Sequence, residues 1–312
     1  MAKKIFIDGK AGTTGLRIFE RLEDFKGIEI ITLSEEKRKD IEARKEALNS
    51  VDIAFLCLPD DAARESVSLI DNDNTVVIDT STAHRTDETF AYGFPELSVN
   101  HREKLKNSKR IAVPGCHASG FIALIYPLVE SGILGANENF SCFSLTGYSG
   151  GGKKMIAEYE DVERNELLDA PRQYGLTQQH KHLKEMKAIS NIENAPVFCP
   201  VVAPFYSGME VTVPIFKNML KNGTTIEDIK KIYKEKYQGP IVNFIENNDE
   251  AGFISAGAYS GLDSMEISVF GNEDRIILTA RYDNLGKGAS GAAIECLNIV
   301  LGQDETTGLV IK

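Results

Sequence analysis

The stretch that decides the fold runs from Ile5 to Leu22 and reads I-F-I-D-G-K-A-G-T-T-G-L-R-I-F-E-R-L. A short apolar run meets three glycines spaced G-x-x-G-x-x-G, and apolar residues then recur at helical spacing. This order predicts a buried strand, a tight turn and a helix. Glycines there let the backbone approach a pyrophosphate at the helix N-terminus, which indicates a dinucleotide site. A plain turn that binds no ligand is the alternative. The expected dinucleotide contacts are Gly9, Gly12, Thr13, Thr14 and Gly15.

Strands and helices continue to alternate as far as about residue 115, which predicts an α/β, Rossmann-type doubly wound parallel sheet. Beyond residue 139 the β-branched segments follow one another, which predicts an α+β second domain with a mixed or antiparallel sheet. We expect residues 1–114 and 286–312 to form the cofactor domain and residues 115–285 to form the catalytic and dimerisation domain. The further strands expected are 28–33, 51–58 and 75–79 in the first domain, and segments within 139–146, 197–216, 241–244, 258–269 and 275–282 in the second.

The composition excludes several classes of function. The chain has 312 residues, 42% of them hydrophobic, and a net charge of −11 without any basic run, so nucleic acid is not an expected partner. No apolar run reaches the roughly 18 residues of a membrane span, and the start at Met1 lacks a signal-peptide pattern. Five scattered cysteines without a C-x-x-C pair fit a reducing cytoplasm, with neither disulfides nor a metal site.

The end of the second strand bears on the choice of cofactor. An NAD site usually has an acidic residue there, on the ribose 2′-hydroxyl. Here Ser34 stands at that place, and Lys37 and Arg38 follow it. A hydroxyl and two cations suit a 2′-phosphate, so NADP(H) is the expected cofactor. Glu35 and Glu36 leave a solvated helix start as the alternative.

A second strand–turn–helix pattern runs from Arg110 to Pro127 and reads R-I-A-V-P-G-C-H-A-S-G-F-I-A-L-I-Y-P. Cys116 stands at the start of the predicted helix. Unpaired backbone N–H groups and the positive end of the helix dipole stabilise a thiolate there, and the thiolate is the nucleophilic form. We therefore expect Cys116 to be a covalent nucleophile. A buried structural cysteine is the alternative.

Other residues could support this chemistry. Arg85 follows the fourth strand, where parallel sheets bind ligands, although it could be an ordinary surface arginine. The loop Gly147–Lys154 includes Ser149, Gly150 and Gly151, whose N–H groups could bind an anion or form only a flexible turn. His180 and His182 are the candidate bases, since a cysteine enzyme needs one, and exposed histidines at a helix start are the alternative.

In combination, these segments resemble the N-acetyl-gamma-glutamyl-phosphate reductases of the shorter class, relatives of aspartate-semialdehyde dehydrogenase. The resemblance spans nearly the whole chain, and the cysteine segment is its most specific part. Three departures stand out: His117 replaces a usually aromatic residue, Lys184 replaces a proline, and Ser207 replaces an arginine. His117 is therefore a third candidate base. The matching segments are Ile7–Gly15, Leu58–Glu65, Val77–Arg85, Tyr92–Leu97, Val113–Gly120, His180–Glu185 and Asp283–Gly291.

The resemblance implies an NADPH-dependent reductase of arginine biosynthesis that works through a cysteine thioester. It implies that Arg85 and Ser149–Gly151 contact the phosphate and the rest of the substrate, and that Asn284 contacts the nicotinamide end of the cofactor. We expect a homodimer or homotetramer. A reductase of aspartyl or aminoadipyl phosphate is one alternative, and a non-catalytic NADP-sensing protein is another.

Overall fold

The first unit of the chain is built around a parallel sheet. A computed structural model describes residues 2–23 and 25–312; Met1 and Asp24, which fall in the expected first domain, lie outside the described residues. The unit runs to Pro114 and resumes over Ala289–Leu309. Its elements up to Pro114 are β1 (Lys3–Asp8), α1 (Thr13–Glu23), β2 (Ile28–Ile31), α2 (Ile41–Asn49), β3 (Ile53–Leu56), α3 (Asp60–Leu69), β4 (Val76–Asp79), β5 (Ala91–Tyr92), α4 (Val99–Asn107) and β6 (Arg110–Ala112).

The six strands are paired in parallel in the order β2-β1-β3-β4-β6-β5. Alternate side chains of β1 enter two apolar clusters: Ile5 and Ile7 belong to one, and Phe6 belongs to the other. Both faces of the sheet are thus covered, as a parallel sheet requires. The Rossmann-type prediction is confirmed, although β2, β3 and β4 are shorter than the sequence predicted.

The second unit covers Gly115–Gly288 and Val310–Lys312. Its seven-stranded sheet has the order β11-β12-β13-β10-β7-β9-β8 and mixes parallel with antiparallel pairs, as predicted. Its elements are α5 (Cys116–Glu130), β7 (Ser141–Gly147), α6 (Gly152–Glu160), β8 (Arg172–Gln173), α7 (His182–Ile189), β9 (Val197–Ala203), β10 (Met209–Phe216), α8 (Ile226–Lys236), β11 (Val242–Phe244), β12 (Met265–Gly271) and β13 (Arg275–Tyr282).

Helix α5 is the central helix of the second unit, and every residue from His117 to Leu128 is buried. It packs on β10 and β13 through Gly120. A Cβ added at Gly120 would lie 2.6 Å from Cγ2 of Val211 and 2.7 Å from the hydroxyl oxygen of Tyr282. The close packing holds the first turn of α5, and with it Cys116, in a fixed position.

The last helix, α9 (Gly291–Leu301), belongs to the first unit, where Ile294 and Leu297 join the cluster of Ile5 and Ile7. Among the described residues, no helix is both long and apolar enough to cross a membrane.

Two expectations about the later part of the chain need correction. Residues 258–264 form turns instead of a strand, because Gly261 has φ +79° and local hydrogen bonds such as Leu262 N–H to Tyr259 O replace a ladder. Residues 286–288 and 310–312 lie in the second unit, not in the first. The N–H of Gly288 donates to Asp283 O, and that of Asp263 donates to Val310 O, which ties both segments to the second unit.

Candidate functional site

Cys116 is the first residue of α5, and Gly115 is the N-cap. The thiol is partly buried. The N–H of Gly115 donates to Oε1 of Glu185 at 2.7 Å, and the hydroxyl of Tyr282 donates to the carbonyl of Cys116. Peptide groups on both sides of the thiol are therefore held in place. The prediction that Cys116 stands at the start of a helix is confirmed.

Two histidines lie against the thiol. Sγ of Cys116 and one ring nitrogen each of His117 and His182 lie within 4.8 Å of one another. The ring centroid of His180 lies 4.8 Å from that of His182 and 5.9 Å from that of His117. His182 is buried and His180 is partly buried, so the alternative of two exposed histidines does not hold. The fold brings all the predicted catalytic residues of this unit together.

His117 is the least suited of the three histidines to accept a proton. Its Nδ1 is 2.7 Å from Oγ of Ser144, and its Nε2 is 2.6 Å from the hydroxyl oxygen of Tyr174. Burial, with a smaller contribution from the nearby His180 and Lys181, lowers the pKa of His117 to about 3. A base of that pKa is too weak to remove protons efficiently near neutral pH. His117 is a neutral, hydrogen-bonded side chain.

His180 has a different environment. Its Nδ1 accepts a long hydrogen bond of 3.4 Å from the backbone N–H of His182. Partial burial, and secondarily the charge of Lys181, lowers the pKa of His180 below its ordinary value. His180 is therefore neutral at neutral pH and able to accept a proton.

Tyr174 is a site residue that the sequence did not reveal. Besides its hydrogen bond to His117, burial raises the pKa of its hydroxyl, and the neighbouring Cys116 raises it further. The hydroxyl stays protonated and can donate a hydrogen bond. Tyr174 is 57 positions from His117 and follows the two-residue strand β8, so no local pattern identifies it. Only an invariant tyrosine in an alignment could have identified it.

The glycine-rich loop is more ordered than a flexible turn. It forms one 3₁₀ turn, Tyr148–Gly151, that leads into α6. The N–H groups of Tyr148 and Ser149 donate to carbonyls of Phe205 and Tyr206 and so do not point at an anion. Ser149 is buried, whereas Gly150 and Gly151 are exposed.

Asn284 braces this turn from inside the unit. Its Nδ2 donates to Oγ of Ser149 at 2.9 Å, and its Oδ1 accepts from the N–H of Gly208 at 3.0 Å. The neighbouring Ser207 donates to Oδ2 of Asp283 at 2.7 Å. Ser207 thus holds the local structure together.

In the first unit, Arg85 is buried and its guanidinium is oriented by backbone carbonyls. Nε donates to Val113 O, and Nη2 donates to Thr80 O, both at 2.9 Å. The loop before it is fixed by Asp79, whose carboxylate binds Ser81 and His84 at 2.7 Å each. Arg85 is therefore a positioned residue and not a mobile surface arginine.

The turn between β1 and α1 requires its glycines. Gly9 has φ +91°, and a Cβ there would lie 2.3 Å from Cys57 O. A Cβ on Gly15 would lie 2.5 Å from Gly9 O. The turn is therefore closely packed just before α1, which begins at Thr13. A glycine turn that leads into a helix N-terminus is the backbone arrangement that binds a pyrophosphate.

A cavity of about 630 Å³ opens beside this turn. Its lining has four cations, Lys10, Arg38, Lys39 and Arg44, and two acidic residues, Asp8 and Glu35. Glu35 forms a salt bridge of 2.6 Å with Arg38. Ser34 and Lys37 are not among the lining residues. Arg44 is buried, and its guanidinium donates hydrogen bonds to the side chains of Asp8, Glu65 and Ser66. The size suits the adenosine end of a dinucleotide, Lys39 offers a cation there without a salt bridge among those of the described residues, and the sequence had not indicated Lys39 as a lining residue.

Comparison with known proteins agrees with this arrangement. A family model described as "Semialdehyde dehydrogenase, NAD binding domain" matches residues 4–108, and "Semialdehyde dehydrogenase, dimerisation domain" matches residues 116–284. Among solved structures, aspartate semialdehyde dehydrogenase II of Vibrio cholerae, complexed with ASA, has a TM-score of 0.71 at 17% identity, covering 97% of this chain and 99% of that one. The enzyme with NADP from Candida albicans has a TM-score of 0.67 at 16% identity, covering 96% and 99%. These structures share the fold.

Sequence relatives are much closer. The chain is 43% identical to N-acetyl-gamma-glutamyl-phosphate reductase 2 of a Nostoc species, over 98% of this chain and 99% of the relative. It is 42% identical to the reductase of Brucella ovis, over 97% and 100%. With full-length similarity at this level and a cysteine at the head of α5, the chain belongs to the N-acetyl-gamma-glutamyl-phosphate reductases, within the semialdehyde dehydrogenase family.

Proposed function

We propose that this protein reduces N-acetyl-gamma-glutamyl phosphate to N-acetylglutamate semialdehyde and phosphate, a step of arginine biosynthesis, with NADPH as reductant. One observation supports the proposal most: the thiol of Cys116 starts a helix and lies within 4.8 Å of a nitrogen of His182. A nucleophile beside a candidate base is the arrangement that covalent acyl transfer needs. The names of the full-length relatives supply the substrate.

The first step is an acyl transfer. The Cys116 thiolate attacks the acyl carbon, a C–S bond forms, the C–O bond to phosphate breaks, and a thioester remains. Bound NADPH supplies the hydride that reduces this thioester carbonyl. His180 or His182 gives a proton to the resulting oxygen and takes it back when the thiohemiacetal collapses to the aldehyde. The thiolate is then regenerated.

The residues proposed to hold NADP(H) belong to the first unit. The turn Gly9–Gly15 is the proposed pyrophosphate site, and Arg38 with Lys39 is the proposed site of the 2′-phosphate. Both sets adjoin or line the cavity described above. Asn284 as the nicotinamide contact, and Arg85 and Ser149–Gly151 as substrate contacts, remain predictions from the resemblance. We infer that the first unit is the cofactor domain and the second the catalytic and dimerisation domain.

A substrate panel tests the proposed function. The protein is mixed with NADPH and N-acetyl-gamma-glutamyl, aspartyl or aminoadipyl phosphate, and the loss of NADPH absorbance is followed. We expect turnover to be fastest with the N-acetylated glutamyl compound. Faster turnover of another acyl phosphate would replace the substrate assignment, and binding of NADPH without any turnover would favour a sensor.

We further propose that the protein is a homodimer that pairs through the open face of the mixed sheet. One face of this sheet packs against α5 and α8, and the register puts the alternate residues on the other face. Exposed apolar side chains there favour burial against a second copy, and the dimerisation-domain match supports that partner. They are Phe143, Val197, Phe216 and Ile277.

Light scattering after gel filtration tests this interface. The native chain should have the mass of a dimer, and the double variant Phe143→Glu/Phe216→Glu should have that of a monomer. Val162→Glu is the matched control, because Val162 is 97% exposed and follows α6, outside the sheet. A monomeric native chain, or a double variant that remains dimeric, would contradict the proposal.

For localisation, we propose a reducing compartment, the cytoplasm. No disulfide joins any of the five cysteines, all of which lie in the described part of the chain. A nucleophilic thiol also has to remain reduced to act. Fractionation of cells followed by detection of the protein would test this assignment.

A further inference from the structure

The three side chains around the nucleophile have the chemistry of metal ligands. A thiolate and two imidazoles form the donor set that Zn²⁺ prefers in proteins. Cys116, His117 and His182 each offer one such atom, and the three atoms lie within 4.8 Å of one another. Spacing along the sequence did not indicate a metal site, because His182 is far from the other two residues along the chain.

The spacing of the ligand atoms is close to that of a zinc site. With Zn–S near 2.3 Å and Zn–N near 2.1 Å, a tetrahedral ion holds its ligand atoms about 3.4–3.6 Å apart. A separation of 4.8 Å, the upper limit among the three atoms, therefore has to shorten by about 1.2–1.4 Å when the ion binds. They project from the first turn of α5 and the first residue of α7, so the backbone beneath them is fixed.

The hydrogen bonds around His117 are of the kind that orient a metal-binding histidine. A histidine that binds a metal through one nitrogen usually donates its other N–H to a nearby acceptor, which fixes the ring. Both nitrogens of His117 already have hydroxyl partners, Ser144 and Tyr174. One hydrogen bond can orient the ring while the other is exchanged for the metal. His180, whose ring centroid is 4.8 Å from that of His182, or a water molecule could take the fourth position.

We propose that Cys116, His117 and His182 form a binding site for a zinc ion. A bound ion occupies the sulfur lone pair that would attack the acyl phosphate, so zinc is a reversible inhibitor that protects the thiol. The zinc site requires the imidazole of His117, and it is independent of which acyl phosphate the protein reduces.

Spectroscopy on the reduced, metal-free protein tests the site without relying on activity. Titration with Co²⁺ should give a thiolate-to-cobalt charge-transfer band and the visible bands of a tetrahedral ion, and Zn²⁺ should abolish them. Cys116→Ser should remove the charge-transfer band. Cys199→Ser is the matched control, because Cys199 is also partly buried but lies on β9, and it should leave the band unchanged.

Affinities measured by competition between Zn²⁺ and Co²⁺ test the histidines. His117→Phe and His182→Ala should each weaken Zn²⁺ binding by roughly tenfold or more. His117→Gln, which keeps hydrogen-bonding atoms, serves if the phenylalanine variant does not fold. X-ray absorption of the zinc-loaded native protein should show one sulfur and two or three nitrogen ligands. A charge-transfer band that persists in Cys116→Ser, or affinities unchanged in both histidine variants, would overturn the proposal.

Discussion

At the scale of single residues, the surroundings of the five cysteines differ in kind. Burial raises the pKa of the Cys57 thiol to about 12, and burial also raises that of Cys142 above its ordinary range. Such thiols stay protonated and unreactive. Cys116, by contrast, is partly buried at the N-terminus of a long helix, next to imidazole nitrogens.

Replacement of the nucleophile should separate catalysis from folding. Cys116→Ser should lower the rate of NADPH oxidation by a factor on the order of 10⁴ or more, because a serine hydroxyl is not activated as a thiolate is. Cys199→Ser should retain most of the activity. Circular dichroism and NADPH titration should show both variants folded and able to bind the cofactor. Substantial turnover in Cys116→Ser would move the nucleophile to another residue.

The acid–base role predicts a displaced pH profile. Because burial lowers the pKa of His180, its neutral form persists below the ordinary histidine value of about 6.5. If His180 is the base, oxidation of the aldehyde should keep its rate on acidification through pH 6.5 and fall only at lower pH. His180→Ala should reduce the rate by roughly 10²–10⁴-fold.

The same profile distinguishes the two candidate histidines. If His182→Ala causes the loss and His180→Ala does not, the base is His182. A rate that falls with a midpoint at or above pH 6.5 in the native protein would contradict the assignment to His180. Full activity in both variants would exclude the pair.

At the scale of elements, the turn from β1 into α1 determines cofactor binding. A Cβ on Gly15 would lie 2.5 Å from Gly9 O, so Gly15→Ala has to push α1 away from β1. We expect NADPH affinity to fall about tenfold or more, equivalent to about 1.4 kcal/mol. Gly239→Ala is the control, because a Cβ there meets nothing within 4 Å. Equal NADPH affinities in fluorescence titrations of the two variants would contradict this account.

The segment after β2 should determine the preference for NADP over NAD. Arg38 and Lys39 line the cavity and Lys37 does not. A charge-assisted contact to the 2′-phosphate contributes about 1.5–3 kcal/mol. Arg38→Ala with Lys39→Ala should therefore weaken NADPH binding roughly tenfold to a hundredfold and leave NADH binding nearly unchanged. Lys37→Ala is the comparison, and a larger effect there would favour Lys37 as the contact to the 2′-phosphate, as the sequence predicts.

Elements with strong local patterns could be predicted from the sequence. The glycine turn before α1 and the Pro-Gly turn before α5 carry their own signals, because glycine spacing and apolar periodicity are local. Strands β5 and β8 have two residues each and no periodicity, so they could not be predicted. The strand predicted over 258–269 forms only from Met265 onward, where its β-branched residues lie, since residues 258–264 have none and the conformation of Gly261 favours a turn.

At the scale of the whole molecule, the candidate site depends on contacts between distant parts of the chain. Glu185 binds the N–H of Gly115 across 70 positions, and Tyr174 binds His117 across 57. Such contacts arise from the order of the strands in the mixed sheet, which the sequence did not predict. Two contacts of this kind, from Ser144 and Tyr174, hydrogen-bond both ring nitrogens of His117, which is buried and neutral. The sequence could therefore name three candidate bases, and the structure makes one of them unsuitable.

In the proposed reaction the acyl group passes through a thioester on Cys116, and the stoichiometry of a single reaction tests this step. N-acetylglutamate semialdehyde and NADP⁺ are mixed with the protein without phosphate or arsenate, and the NADPH formed is counted. We expect one NADPH per active site, because the thioester persists until phosphate or arsenate accepts the acyl group. Added phosphate should restore continuous turnover. NADPH formation that continues over many turnovers without either anion would contradict it.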